Sequence, residues 1–145
     1  MNDFDYSNQN ESIVSFLTPK RETFYIDEDS TIRQVVEKMD FHKFTVIPLL
    51  NKKGQYIGSL SEGDILRYIK SRTNFNLEAA ESIKIIQVSK YRSYEAMKID
   101  EDVSKLIRLL LQQNFVPVVD DRKTFIGIIK RSTLMNFLSA KQDTK

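Results

Sequence analysis

Apolar residues recur along this chain in two rhythms, and the rhythms alternate in the same order twice. Ile32, Val35, Val36 and Met39 stand three to four residues apart, as do Val103, Leu106, Ile107 and Leu110. That spacing lays a single apolar stripe along a helix. Each stripe follows an acidic turn, Asp27-Glu28-Asp29-Ser30 or Asp100-Glu101-Asp102, which brings capping oxygens and negative charge to a helix N-terminus. Short apolar runs come next: "TVIPLL" from Thr45 and "QYIGSL" from Gln55, then "FVPVV" from Phe115 and "TFIGII" from Thr124. Asn51-Lys52-Lys53-Gly54 separates the first pair and Asp120-Asp121-Arg122-Lys123 the second, and both have hairpin chemistry. A closing helix carries Ile65, Leu66 and Ile69, or Leu134, Met135, Phe137 and Leu138. With an extended pair before each acidic turn, the unit is strand, helix, strand, strand, helix, twice.

The duplication extends to individual residues. Pro48 and Pro117, Gly58 and Gly127, and Asp64 and Thr133 are each 69 residues apart, whereas Asp27 and Asp100 are 73 apart. On that alignment the second copy is four residues shorter between its acidic turn and its proline. The boundaries read as a flexible N-terminus over 1–12, a first repeat over 13–70, a linker over 71–96, a second repeat over 97–140 and a flexible tail over 141–145. Within the linker "NFNLEAAESI" predicts a short helix capped near Asn76, and "IIQV" is a candidate strand. The fold class is α/β (α+β), two repeats expected to pack their sheet faces together with pseudo-two-fold symmetry.

Composition narrows the chemistry. The 145 residues are 41% apolar and 29% charged, with three prolines and no low-complexity segment, an ordinary soluble globular balance. Zero cysteines exclude disulfides and thiol chemistry, and with one histidine, His42, no metal site is expected. His42 falls at the end of the first helix, where it complements the dipole. The net charge of +2 is too small a field to argue nucleic-acid binding. Its local basic clusters, among them Lys52-Lys53, Lys90 with Arg92, and Arg122-Lys123, read as solvated loops. "MNDFDYSNQNES" has no signal-peptide pattern and no apolar run approaches the ~20 residues of a membrane span, so a cytoplasmic protein is expected. No nucleophile elbow, glycine-rich phosphate loop or metal set is present, so catalysis is not expected.

Ser61-Glu62-Gly63-Asp64 opens the first closing helix. On its own Ser-x-x-Asp reads as a capping box; its place in a repeated frame also admits a ligand site. The acidic turn with its helix, the Ile47-Pro48-Leu49 and Val116-Pro117-Val118 strands and the "YIGSLSEGDIL" block, in this order, resemble a tandem pair of cystathionine-β-synthase-type (CBS) domains, a Bateman module. The likeness covers about Ile13 to Leu138 and leaves no room for a catalytic domain. It implies a regulatory module that binds an adenine nucleotide in a cleft between the repeats, requires no cofactor, forms a homodimer through helices of both repeats, and modulates a partner protein.

The resemblance also implies residue roles. Ser61 becomes the phosphate contact and Asp64 the ribose contact, with Phe24, Thr45, Val46, Ile47 and Pro48 around the base. A helix N-terminus suits an anion, and a carboxylate accepts both hydroxyls of a diol. From the residues alone, Phe24, Tyr25, Phe115 and Phe125 read as core rather than as base-stacking residues. The compact layout is similar to small stand-alone CBS proteins of Gram-positive bacteria, some of which bind cyclic di-AMP; this makes cyclic di-AMP the leading ligand, with AMP, ADP or ATP next. Lys130 and Arg131 then become phosphate contacts at the last helix, and Glu22, after Lys20 and Arg21, a ligand contact before the first strand. Tyr91 and Arg92 in the linker read as an exposed loop. Lys130 and Thr133 stand where the first copy has Ser61 and Asp64, which leaves a degenerate second site open. Two other readings remain: a ligand-free dimer serving as an interaction scaffold, and a nucleic-acid binder.

Overall fold

The computed structural model describes residues 12–72, 74–88 and 94–143. The expected flexible N-terminus therefore lies outside the described residues except for Ser12, as do Lys90, Tyr91, Arg92 and the last two residues of the tail. The described chain forms two compact units, one drawn from Phe24–Ser93 and the other from Met1–Thr23 with Tyr94–Lys145.

The Phe24–Ser93 unit contains β2 (Ile26–Asp27), α1 (Ile32–His42), β3 (Val46–Leu50), β4 (Tyr56–Ser61), α2 (Glu62–Lys70) and α3 (Leu77–Ser82). Its sheet runs β2-β3-β4. β2 is parallel to β3, a pairing that needs a crossover, and α1 supplies it. β3 and β4 form the antiparallel hairpin, in which Asn51 Oδ1 accepts from the N–H groups of Lys53 and Gln55, both at 2.9 Å. Ile26, Val35, Ile47, Leu49, Leu60 and Ile65 are among the buried residues of its core. Pro48 sits in the central strand. It costs no ladder bond there, because pairing with β2 begins at Ile26↔Leu49, one residue later.

The other unit contains β1 (Thr18–Pro19), β5 (Met97–Lys98), α4 (Val103–Leu110), β6 (Phe115–Val119), β7 (Phe125–Lys130) and α5 (Arg131–Asp143). Its sheet order is β1-β7-β6-β5. Met97, Leu106, Leu110, Val116, Val118 and Ile129 belong to its core. In its hairpin Asp120 Oδ1 takes the place of Asn51 Oδ1, accepting from Arg122 N–H at 2.8 Å and Thr124 N–H at 2.9 Å. Lys123 there has φ 66°, where the first hairpin has Gly54 at φ 79°.

The structure adds five points to the sequence reading. The acidic turns align at 71 residues, not 73: Ile26↔Leu49 and Met97↔Val118 are the equivalent parallel pairs, so Asp100 matches Asp29. The helix caps follow the same frame. Asp102 caps α4, as expected, but its counterpart is Thr31, whose Oγ1 accepts from Gln34 N–H while Gln34 Oε1 accepts from Thr31 N–H.

The segment Ser12–Thr23, read as the start of the first repeat, belongs to the unit of the second. Ile13 and Phe16 are buried in that unit's core, and β1 adds an antiparallel strand to β7.

The expected linker is structural. α3 is capped by Asn76 as predicted, and Ala80, Ile85 and Val88 are buried in the Phe24–Ser93 core. Ile83 C=O accepts from Ile32 N–H at 3.0 Å, Ser30 C=O accepts from Ile85 N–H at 2.7 Å, and Arg33 pairs with Glu81. "IIQV" is a 3-10 turn over Ile85–Gln87, not a strand, since its backbone closes on itself through Val88 N–H to Ile85 C=O. Finally, α5 continues to Asp143, through most of the expected tail.

Candidate functional site

The hairpin of β3 and β4 builds the candidate site in the Phe24–Ser93 unit. Its antiparallel register places Val46 opposite Ser61, Ile47 opposite Leu60 and Pro48 opposite Ser59. Where β4 gives way to α2, Thr45 C=O accepts from Glu62 N–H at 2.9 Å, which fixes the helix start against the entry to β3. Thr45, Val46, Ser61 and Asp64 are thereby brought together. Ile47 is buried at 1% exposure and Pro48 is buried as well, so the contribution of that stretch to a ligand is its backbone and its shape.

The capping box is present in full. Ser61 Oγ accepts from Asp64 N–H at 3.1 Å, and Asp64 Oδ2 accepts from Ser61 N–H at 2.9 Å. Asp64 has a further partner that the sequence reading missed: Arg67 donates from Nη2 to Oδ1 at 2.5 Å. The carboxylate is only 3% exposed, while the Arg67 side chain that covers it is 52% exposed. A buried carboxylate is stable only when paired and hydrogen-bonded, and here the cap and the guanidinium meet that requirement. The signal for Arg67 was available, since Asp and Arg three residues apart share a helix face.

Phe24 is 39% exposed and stacks on the single histidine: its ring centroid lies 3.9 Å from that of His42 and 5.1 Å from that of Phe44. It is thus neither core, as one reading had it, nor isolated. His42 does lie at the C-terminal end of α1, as expected, but enclosed by aromatic rings. The positions matching Phe24 and Phe44 in the other unit are Glu95 and Gln113. There the buried Gln113 amide accepts from Glu95 N–H at 2.7 Å and donates to Glu95 C=O at 3.1 Å.

Glu22, Lys130 and Arg131 belong to the other unit. Glu22 is exposed in a 3-10 turn over Lys20–Glu22. The β1–β7 register, Thr18↔Ile128 then Pro19↔Gly127, carries that turn toward the Phe125 end of β7, away from Lys130. Lys130 is exposed at the end of β7. Arg131 is committed elsewhere: its Nε donates to Leu110 C=O at 2.7 Å and its Nη2 to Gln113 C=O at 3.0 Å. These are carbonyls at and just beyond the C-terminus of α4, where a cation suits the dipole. The electrostatic oddity of a cation at the start of α5 is therefore answered by a neighbouring helix end.

Among the described residues no group of three or more His, Asp or Glu side chains could hold a metal ion, and no helix is long and apolar enough to cross a membrane.

The family model for the CBS domain matches residues 14–71 and again 91–140. An uncharacterized protein of Methanocaldococcus jannaschii is 25% identical over 159 aligned positions, covering 90% of this chain and 95% of that protein. Among solved structures, a CBS domain protein from Streptococcus pneumoniae superposes with a TM-score of 0.78 at 21% identity, covering 89% of this chain and 87% of that one. The CbpB protein of Listeria monocytogenes, solved in complex with cyclic di-AMP, gives a TM-score of 0.79 at 18% identity, covering 92% and 98%. Two matched repeats, the strand-helix-strand-strand-helix order in each unit and these superpositions lead to one conclusion: the chain belongs to the CBS-domain family, as a tandem pair of its repeats.

Proposed function

We propose that this protein is a regulatory nucleotide sensor of the cytoplasm, without catalytic activity, that binds an adenine nucleotide at the start of α2 and passes the binding on to a protein partner. Cyclic di-AMP leads the candidates, followed by AMP, ADP and ATP. The observation that carries the reading is the buried Asp64 carboxylate, fixed by Ser61 N–H beside the Thr45–Val46 backbone and covered by a half-exposed arginine. Each carboxylate oxygen has two lone-pair directions. Asp64 can therefore accept ribose hydroxyls while keeping its cap, once Arg67 swings aside: both hydroxyls of the diol in AMP, ADP or ATP, and the one free 2'-hydroxyl of a ribose in cyclic di-AMP, whose 3'-oxygens are esterified. The first turn of α2 offers N–H donors and the positive dipole end to phosphate, and Phe24 offers a partly exposed ring to a base. The fold likeness to CbpB, solved with cyclic di-AMP, supports the ligand class.

Binding shifts the protein between states only through unequal affinity for them, and the opening of Arg67 is a candidate for that difference. We place the homodimer of the family within the same reading. The alternative of a ligand-free scaffold draws on Arg131, whose guanidinium is held by α4 carbonyls, and on Lys130 and Thr133, which replace the hydroxyl and carboxylate of the first copy. Calorimetric titration with each nucleotide separates the two: heat from an adenine nucleotide supports the sensor, and silence with every nucleotide leaves the scaffold.

A further inference from the structure

Phe44 and Gln113 hold the same place ahead of the central strand of their sheets, since Glu62 N–H donates to Thr45 C=O at 2.9 Å just as Arg131 N–H donates to Asn114 C=O at 2.9 Å. Their side chains act differently. Gln113, only 7% exposed, lays its amide against the main chain of Glu95: Oε1 accepts from Glu95 N–H at 2.7 Å, while Nε2 donates to Glu95 C=O and to Phe115 C=O, both at 3.1 Å. The reverse orientation would set the amide oxygen against two carbonyl oxygens, so the pattern fixes which atom is which. In the Phe24–Ser93 unit the matching main chain is that of Phe24. Its N–H and C=O make no hydrogen bond among the described residues, and Phe44 brings a ring there, centred 5.1 Å from the Phe24 ring, in place of an amide.

A backbone N–H and C=O standing open on one residue select a ligand edge that carries an acceptor beside a donor. The primary amide of glutamine is such an edge, and so is adenine, with N7 beside its N6 amino group. We propose that Gln113 is a built-in stand-in for the base: its amide fills the slot at Glu95, so that each chain takes one adenine base, at Phe24. The inference rests on the sensor reading and adds which repeat binds and what closes the other. The stand-in is also held from behind. Arg131 Nη2 donates to Gln113 C=O at 3.0 Å and Arg131 Nε to Leu110 C=O at 2.7 Å, whereas Glu62, in the matching place, carries a carboxylate that cannot donate to a carbonyl. A base entering at Glu95 has to break the amide's bonds and offers only the same pair in return, while the expelled amide leaves Phe115 C=O short of a donor. Thr133, where the first unit has Asp64, supplies no carboxylate to a ribose.

AMP carries a single base, so its calorimetric stoichiometry counts the open slots. The unmodified protein is expected to take about one AMP per chain, and Gln113→Ala/Thr133→Asp, which removes the amide and restores the carboxylate, about two. Two AMP per unmodified chain, or a double variant folded by circular dichroism that gains no site, overturns the inference. Amide NMR of the unmodified protein gives a readout that needs no variant. Phe24 N–H should shift on saturation with AMP, and the Gln113 side-chain protons should exchange with water at least about tenfold more slowly than those of an exposed glutamine, with or without AMP. Exchange at the exposed rate, or protection lost on adding AMP, overturns it. If no adenine nucleotide binds the unmodified protein, the sensor reading fails; a site gained by the double variant together with slow Gln113 exchange still upholds the stand-in.

Discussion

Gly127→Ala places a Cβ where backbone already stands. An ideal Cβ at this position lies 2.2 Å from Thr18 C=O, 2.9 Å from Leu17 Cδ1 and 3.1 Å from Pro19 Cα, and the residue has φ +156°. The nearest atom is a carbonyl oxygen of β1, paired in register with β7, so it cannot rotate away as a side chain would. Either β7 distorts or β1 leaves. Leaving takes Ile13 and Phe16, 1% and 4% exposed, out of the core. Re-exposing each loses about 1.5–3 kcal/mol of apolar burial, so detachment of the arm limits the damage to about 3–6 kcal/mol. The assay is urea unfolding followed by circular dichroism for Gly127→Ala, Phe16→Ala and the double variant. Phe16→Ala alone is expected to cost about 3–5 kcal/mol. Because both changes act on one docked arm, the double variant should fall short of additivity by more than about 1 kcal/mol. A Gly127→Ala protein within about 0.5 kcal/mol of the original, or strict additivity, would refute the reasoning.

Three further outcomes follow from the geometry. Arg131→Met leaves Leu110 C=O and Gln113 C=O without their charged donor and should lower stability by about 1–3 kcal/mol, read by denaturant midpoint; an unchanged midpoint would show that water replaces the cap without loss. Lys123→Gly relieves a left-handed residue at φ 66° and should stabilise by about 1 kcal/mol, whereas Lys123→Ala should not; equal effects from the two would point to charge instead. Stability should hold across neutral pH and fall at both edges. Glu101 is held below its ordinary 4.5 by the hydrogen bond from Lys105, then that from Lys98 N–H, and Asp120 below 3.8 chiefly by Thr124 N–H. Their contributions are present above those ordinary values and lost as acid titrates the folded carboxylates. Lys105, raised above 10.5 by Glu101, contributes fully below that value and loses it as pH climbs through the raised one. Glu101→Gln should flatten part of both slopes in a pH series of melting curves, and unaltered slopes would contradict the assignment.

Periodicity made the repeats legible, because the buried faces of α1, α4 and the two hairpins follow helix and strand spacing that burial enforces. What spacing could not show was pairing. The 73-residue match of Asp27 with Asp100 scored well as text, yet strand register selects 71, since parallel pairing depends on backbone hydrogen bonds that any side chain permits. The pairing of the arm at Thr18–Pro19 with β7 was hidden for the same reason: two residues carry no period, and the signal lay on the partner strand, in a glycine whose missing Cβ admits the arm. "IIQV" has strand composition but too little length to resist a 3-10 turn that buries Ile85 and Val88. At the site, Ser61 and Asp64 were found together because a capping box is local. The bonds of Arg131 to the carbonyls of Leu110 and Gln113 could not be seen in the sequence, because those partners are about twenty residues distant and leave no mark in composition.

The sensor reading turns on Asp64, and Asp64→Asn isolates it: the amide oxygen still accepts Ser61 N–H, so the cap of α2 survives while the charged acceptor for ribose hydroxyls is lost. The decisive measurement is calorimetric titration of the original protein and Asp64→Asn with cyclic di-AMP, AMP, ADP and ATP. The account predicts saturable binding of at least one adenine nucleotide and a loss of about 1–3 kcal/mol of its binding free energy in Asp64→Asn. Silence with all four, or an affinity that the substitution leaves unchanged, would contradict it.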